Sequence, residues 1–202
     1  MSSKVQLILK VALGLAIIGL SYFLYEIIQE PIRYEKIKEE RYAEVKDRLE
    51  DIRDAQKAFR AEYGSFAKDF NTLVGFVDTG KQAIIERKDS SFMYYDETYQ
   101  QDMEKDTVIV TILGYRNVKE NLFNSSFNAS EMRYIPFTEQ KEFEMAAGNV
   151  EANEVTVPVF EARASNTVIF ADIFKQYKQF IDADYALTIG SLQEPTLSGN
   201  WK

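Results

Sequence analysis

The run from Val5 to Ile28 most restricts how this chain can fold. Its centre, Val11 to Tyr25 (VALGLAIIGLSYFLY), carries no charge, and the whole run covers the roughly 30 Å hydrocarbon core of a bilayer at about 1.5 Å per residue. Lys10 and Glu26 bracket it, where long side chains reach the headgroups, and Tyr22 and Tyr25 stand at the level of an aromatic belt. The competing reading is a cleaved secretory signal with Lys4 and Lys10 as its basic start. Cleavage requires small residues before the cut, and Tyr22, Phe23, Tyr25 and Glu26 stand there instead. The expectation is a retained single-pass anchor.

Lys4 and Lys10 precede the uncharged centre, whereas Glu26 and Glu30 come first after it. The positive-inside bias then puts the N-terminus in the cytoplasm of a bacterium and the remainder in the periplasm, although Arg33, Lys36 and Lys38 reduce the contrast. The organisation expected is a cytoplasmic tail (1–10), a transmembrane helix (11–28), a helical stalk (29–63) that holds a domain off the surface, and a periplasmic domain (64–202). Pro31 either bends one continuous helix or opens a second.

From Tyr42 the stalk has helical periodicity. Tyr42, Val45, Leu49, Ile52, Phe59 and Tyr63 recur at alternating three- and four-residue spacing, with Gln56 as the polar member of the stripe. Pairs such as Glu44 with Arg48 and Lys46 with Glu50 lie on the opposite side at i,i+4. Two uses of the stripe compete: docking on the domain that follows, or pairing with another chain as a coiled coil. A mixture is expected, with Ile52 to Tyr63 under the domain and the polar stretch from Arg33 to Glu40 solvated or facing an assembly. The stripe is therefore a candidate assembly helix.

The segment Leu49 to Leu73, LEDIRDAQKAFRAEYGSFAKDFNTL, resembles the end of the long N-terminal helix in type IV pilin-like proteins and type II secretion pseudopilins. Ile52, Ala55, Phe59, Tyr63, Gly64, Phe66 and Leu73 are the matching positions. The resemblance implies an anchored helix feeding an α+β domain, with a role in secretion or pilus assembly. The prepilin-peptidase site of that family is absent, since Ser3-Lys4-Val5-Gln6-Leu7 stands in its place. Read physically, Gly64 is the residue past the helix end that takes positive φ, and Ser65 caps a short helix reaching Val74.

Beyond Gly80 the pattern is strands and loops: Gln82 to Arg87, Thr107 to Leu113, Met132 to Phe137, Glu142 to Met145, Glu154 to Ala162, Thr167 to Phe170 and Tyr185 to Leu192. The β-branched run VIVTIL reads as a central strand. Val118 to Phe123 reads as a short helix or turn, and Asp172 as the cap of a helix ending at Ile181. The fold class expected is α+β, a mainly antiparallel sheet with one or two packed helices. Mobile stretches are expected at Asp96 to Asp106, Asn124 to Ser130 and Glu194 to Lys202.

Composition excludes much chemistry. The 202 residues include no cysteine and no histidine, which removes disulfides, thiolate metal sites, the commonest metal ligand and the His-dependent triads. No catalytic, metal or cofactor site is expected, and the chain reads as non-enzymatic. Asp182 and Asp184 near Glu161 read as solvated turn residues rather than a cation site, and 96–106 lacks the spacing of a calcium loop. A formal net charge of −8 argues against nucleic acid.

What remains is contact with proteins and with the lipid bilayer. Tyr94, Tyr95 and Tyr99 with neighbouring Phe92 are candidate partner or ligand contacts, and so is Trp201, the only tryptophan. The leading expectation is a single-span subunit of an envelope complex, contacting other inner-membrane and periplasmic proteins and able to form oligomers. It would serve secretion or pilus assembly, or a proton-motive-force-driven transport complex of the Ton type. The alternative is an anchored sensor or ligand-binding module, disfavoured by the ten residues that precede the span.

Overall fold

The computed structural model describes residues 3–96, 98, 100–152 and 154–201. One helix, α1 (Ser3–Tyr63), runs without interruption through Pro31. It ends where Gly64, at φ +75°, donates its N–H to the Arg60 carbonyl at 2.8 Å. Positive φ costs glycine nothing, so the expected stop is where it forms. The next helix, α2 (Phe70–Thr79), starts later than Ser65: Asp69 is its cap and accepts from the Thr72 N–H at 2.9 Å. Phe70, Leu73, Phe76 and Val77 form its buried face.

The chain then leaves the core. Strands β1 (Lys81–Asp96) and β2 (Gln101–Asn117) form an antiparallel two-stranded ribbon, offset by a bulge opposite Ile84/Ile85. It returns through α3 (Val118–Leu122) and a 3₁₀ turn (Ala129–Arg133). A three-stranded antiparallel sheet follows, ordered β3 (Glu144–Ala152), β4 (Val155–Ser165), β5 (Ala186–Gly190). Short helices α4 (Asn166–Ile169) and α5 (Phe174–Tyr177) lie between the last two strands. The α+β class is as expected.

The core is where α1, α2 and the β3–β5 sheet meet. Val45, Leu49, Ile52 and Ala55 of α1 are fully buried in one cluster with Leu73, Phe160, Ile169, Leu187 and Ile189. The stripe of α1 therefore packs on its own domain, and these residues are not available to another chain. Tyr42 is half-buried on the same cluster, and Phe59 is buried. Tyr63 is exposed but packs against Phe59, tilted, with ring centroids 4.5 Å apart.

Docking also reaches closer to the apolar run than the polarity of Arg33 to Glu40 predicts. Tyr34 is buried against Phe170, Tyr177 and Phe180, at centroid distances of 5.6–5.8 Å. Arg41 makes a two-pronged ion pair with Asp172, both contacts at 2.7 Å. Tyr34, with Ile37 partly buried beside it, is enough to dock this face, whatever the average polarity of the segment. Tyr34 lies six positions beyond Ile28, about 9 Å of helix, so the domain begins beside the apolar run rather than at the end of a free stalk.

Other expectations change as well. Thr107 to Leu113 is a ribbon strand, not a central one. Thr167 to Phe170 is mostly helical, and Met132 to Phe137 is a 3₁₀ turn and loop with one bridge, Tyr134 to Glu142. Asp172 pairs with Arg41 instead of capping a helix, and helix between Asp172 and Ile181 is limited to Phe174–Tyr177. The tail is held in place: Asn200 N–H donates to Thr188 at 3.0 Å, and Gly190 N–H to Ser198 at 3.1 Å.

Candidate interaction surface

Among the described residues, the buried polar residues Gln56 and Asn166 are already used. Gln56, fully buried, exchanges two hydrogen bonds with the Ala67 backbone. Asn166 accepts from the Tyr42 hydroxyl at 2.7 Å and donates to the Asp182 carbonyl at 2.9 Å. Burial pushes the Tyr42 phenol up to about 12 in spite of that hydrogen bond. Each of these groups ties α1 to the domain, and a satisfied buried group of this kind reads as structural.

Asp182 and Asp184 are exposed, and the Asp184 N–H donates to the Asp182 carboxylate at 3.1 Å, a local turn. Among the described residues no group of three acids is placed to hold a metal ion.

Exposed apolar surface lies elsewhere, on the β1–β2 ribbon. Register divides its side chains between two faces. One bears Ile85, Met93, Tyr95, Val108, Val110, Ile112 and Tyr115, all exposed. The other bears Ile84, Phe92, Tyr94 and Ile109, likewise exposed. Most strands bury at least one face. Here neither is covered, and a hairpin without a third strand or a packed helix is marginal in water. Exposed apolar patches of this extent mark interaction sites.

Tyr94 and Tyr95 therefore share the ribbon but point to opposite faces, so they form no common platform. Tyr99 lies outside the described residues. Trp201 is half-buried against the core, under a tail bridged to β5 through Gly199 and Ile189. The apolar residues of β2 were not anticipated as surface. A signal was present in the strand that pairs with them: Glu86, Arg87, Lys88 and Asp89 are four consecutive charges, which no strand with a buried face accommodates.

Comparison with protein-family models, with curated proteins and with solved structures finds no match for this chain. The part of α1 up to Ile28 is long and apolar enough to cross a membrane, and the side chains described there are almost all exposed.

Proposed function

We propose that this chain is a non-enzymatic, single-span subunit of a bacterial envelope complex, with the apolar start of α1 in the inner membrane and the α+β domain on the periplasmic side. It works through protein contacts, in a secretion or pilus-type assembly or as an accessory to a Ton-type transport complex. The observation that carries the reading is the β1–β2 ribbon, apolar and uncovered on both faces, on a domain whose core is otherwise closed. Absence of histidine and cysteine supports a binding role over a catalytic one. Lys4 and Lys10 against Glu26 and Glu30 support the orientation.

Extraction in mild detergent, after crosslinking in intact membranes from positions on the ribbon, tests it. The chain is expected in the inner-membrane fraction, in a complex larger than a monomer, with crosslinks concentrated on the ribbon. Recovery as a lone monomer without ribbon crosslinks overturns the proposal.

A further inference from the structure

The two faces of the ribbon differ in charge as well as in apolar content. Over its body, residues 86–93 and 104–111, the face with Val110 carries Arg87 against Asp89, Glu104 and Asp106. The face with Ile109 carries Lys88 and Lys105 against Glu86. Contacts agree with this division: Ser91 hydrogen-bonds Glu104 on the acidic face, while on the basic face Lys105 lies 6.0 Å from the Tyr94 ring centre and Phe92 lies 6.3 Å from the same ring. Among the described residues, Arg87, Lys88, Asp89 and Asp106 form no ion pair within the chain.

We infer that the ribbon stacks on the ribbon of a second copy of this chain, the acidic face of one against the basic face of the next, side by side and in register. This rests on the reading of the chain as an assembly subunit and names its partner. In that register Arg87 lies between Glu86 and Lys88 of the next copy, Asp89 one residue step from Lys88, and Asp106 and Glu104 one step either side of Lys105. Ile85 then covers Ile84, Val108 and Val110 cover Ile109, and Met93 covers Phe92. Like charges are opposed where Arg87 flanks Lys88 and at the root, Lys81 beside Arg116, and in both places long side chains can separate into water.

The area suffices. Sixteen residues of β1 at about 3.4 Å each make a ribbon about 54 Å long and roughly 10 Å wide, so one stack removes about 500 Å² from each partner. The total of about 1,000 Å² reaches the lower limit for a specific interface. A bilayer is a poor occupant, because Arg87, Lys88, Glu104 and Lys105 would enter it with the apolar residues. Stacking in register keeps every copy in the same orientation, as copies anchored in one membrane require. The two surfaces differ, so the contact is head-to-tail and extends to further copies unless rotation closes a ring.

The test uses the full-length chain in its membrane. It has no cysteine, so introduced thiols are unique. Val110→Cys and Ile109→Cys are placed on differently tagged, co-expressed copies and joined by a bismaleimide, since packed sheets lie about 10 Å apart, beyond disulfide reach. Mixed Val110→Cys/Ile109→Cys dimers are expected in several-fold excess over either like pair. Lys88→Glu with Lys105→Glu in the Ile109→Cys copy should remove them, and Asp89→Lys with Asp106→Lys in the other copy should restore them. All four side chains lie outside the core, and an unchanged melting temperature of each variant checks that it has folded.

Like pairs in excess, or no dimers of any kind, overturn the stack. Crosslinks to other proteins without dimers overturn it while leaving the subunit reading intact, whereas a monomer without crosslinks defeats both.

Discussion

Gln56 and Ala67 hold each other by a matched pair of hydrogen bonds: Gln56 Nε2 donates to the Ala67 carbonyl and the Ala67 N–H donates to Gln56 Oε1, both at 2.9 Å. The side-chain amide does what a neighbouring strand would do, satisfying a loop backbone that α2 and the sheet have enclosed. It thereby fixes the path of the chain after Gly64. An apparent flaw in the α1 stripe is a structural clamp.

Gln56→Ala leaves both Ala67 groups buried and unpaired and opens a cavity, so unfolding free energy should fall by about 2–4 kcal/mol in urea titration. Gln56→Glu supplies the acceptor but no donor at neutral pH. Its deficit relative to wild type should shrink as pH falls and the carboxyl gains a proton. An equal deficit at all pH values would deny the clamp its donor role.

The Tyr42 phenol, raised to about 12 by burial, predicts an alkaline transition. Because the folded value exceeds the unfolded one of about 10, this contribution is complete below pH 10 and is lost as pH rises towards the folded value. Tyr42→Phe should flatten that limb in thermal melts between pH 9 and 12, conditions set by the same pair of values. It should also cost about 1–2 kcal/mol at neutral pH by stranding Asn166 Oδ1.

Arg41 holds the Asp172 carboxyl below its ordinary range, chiefly by the side-chain hydrogen bond between them. The stability this provides is present above the unfolded aspartate value of about 3.9 and is lost as pH falls through the lower folded value. Asp172→Asn should be less stable than wild type at pH 5–7 by under about 1 kcal/mol, since Asp172 is half exposed, with the two converging in acid. Arg41→Ala should cost more, because Arg41 also donates to the Ile169 carbonyl at 2.7 Å.

Truncation separates a docked helix from a detachable stalk. A fragment beginning at Gly64 loses Val45, Leu49, Ile52, Ala55 and Phe59. At roughly 1.5–3 kcal/mol for each large side chain, that removes a sizeable share of the 5–15 kcal/mol that holds a domain together. It should show no cooperative melt by circular dichroism, whereas a fragment beginning at Pro31 should melt cooperatively. A sharp transition in the shorter fragment would show that α1 is dispensable.

Local chemistry made several features legible. An apolar run is recognisable because nothing interrupts it, and Gly64 marks the helix end because its backbone freedom is its own property. Segments such as Glu154 to Ala162 and Tyr185 to Leu192 sit close to β4 and β5, where β-branched and aromatic residues favour extended chain. The ribbon is not legible in this way, because VIVTIL looks the same whether its neighbours are two strands or one. The charges that decide the matter belong to β1, on the far side of the turn.

By itself the sequence determined the apolar helix, the stripe on its continuation, the α+β class and the lack of histidine and cysteine chemistry. Periodicity states which residues share a face; it does not state what covers that face. Only the tertiary structure decided that the stripe from Tyr34 to Phe59 closes the chain's own core and that the β1–β2 ribbon leaves it. Cover is supplied by residues far along the chain, such as Phe160, Phe170 and Leu187, and their approach is a property of the whole fold rather than of any segment.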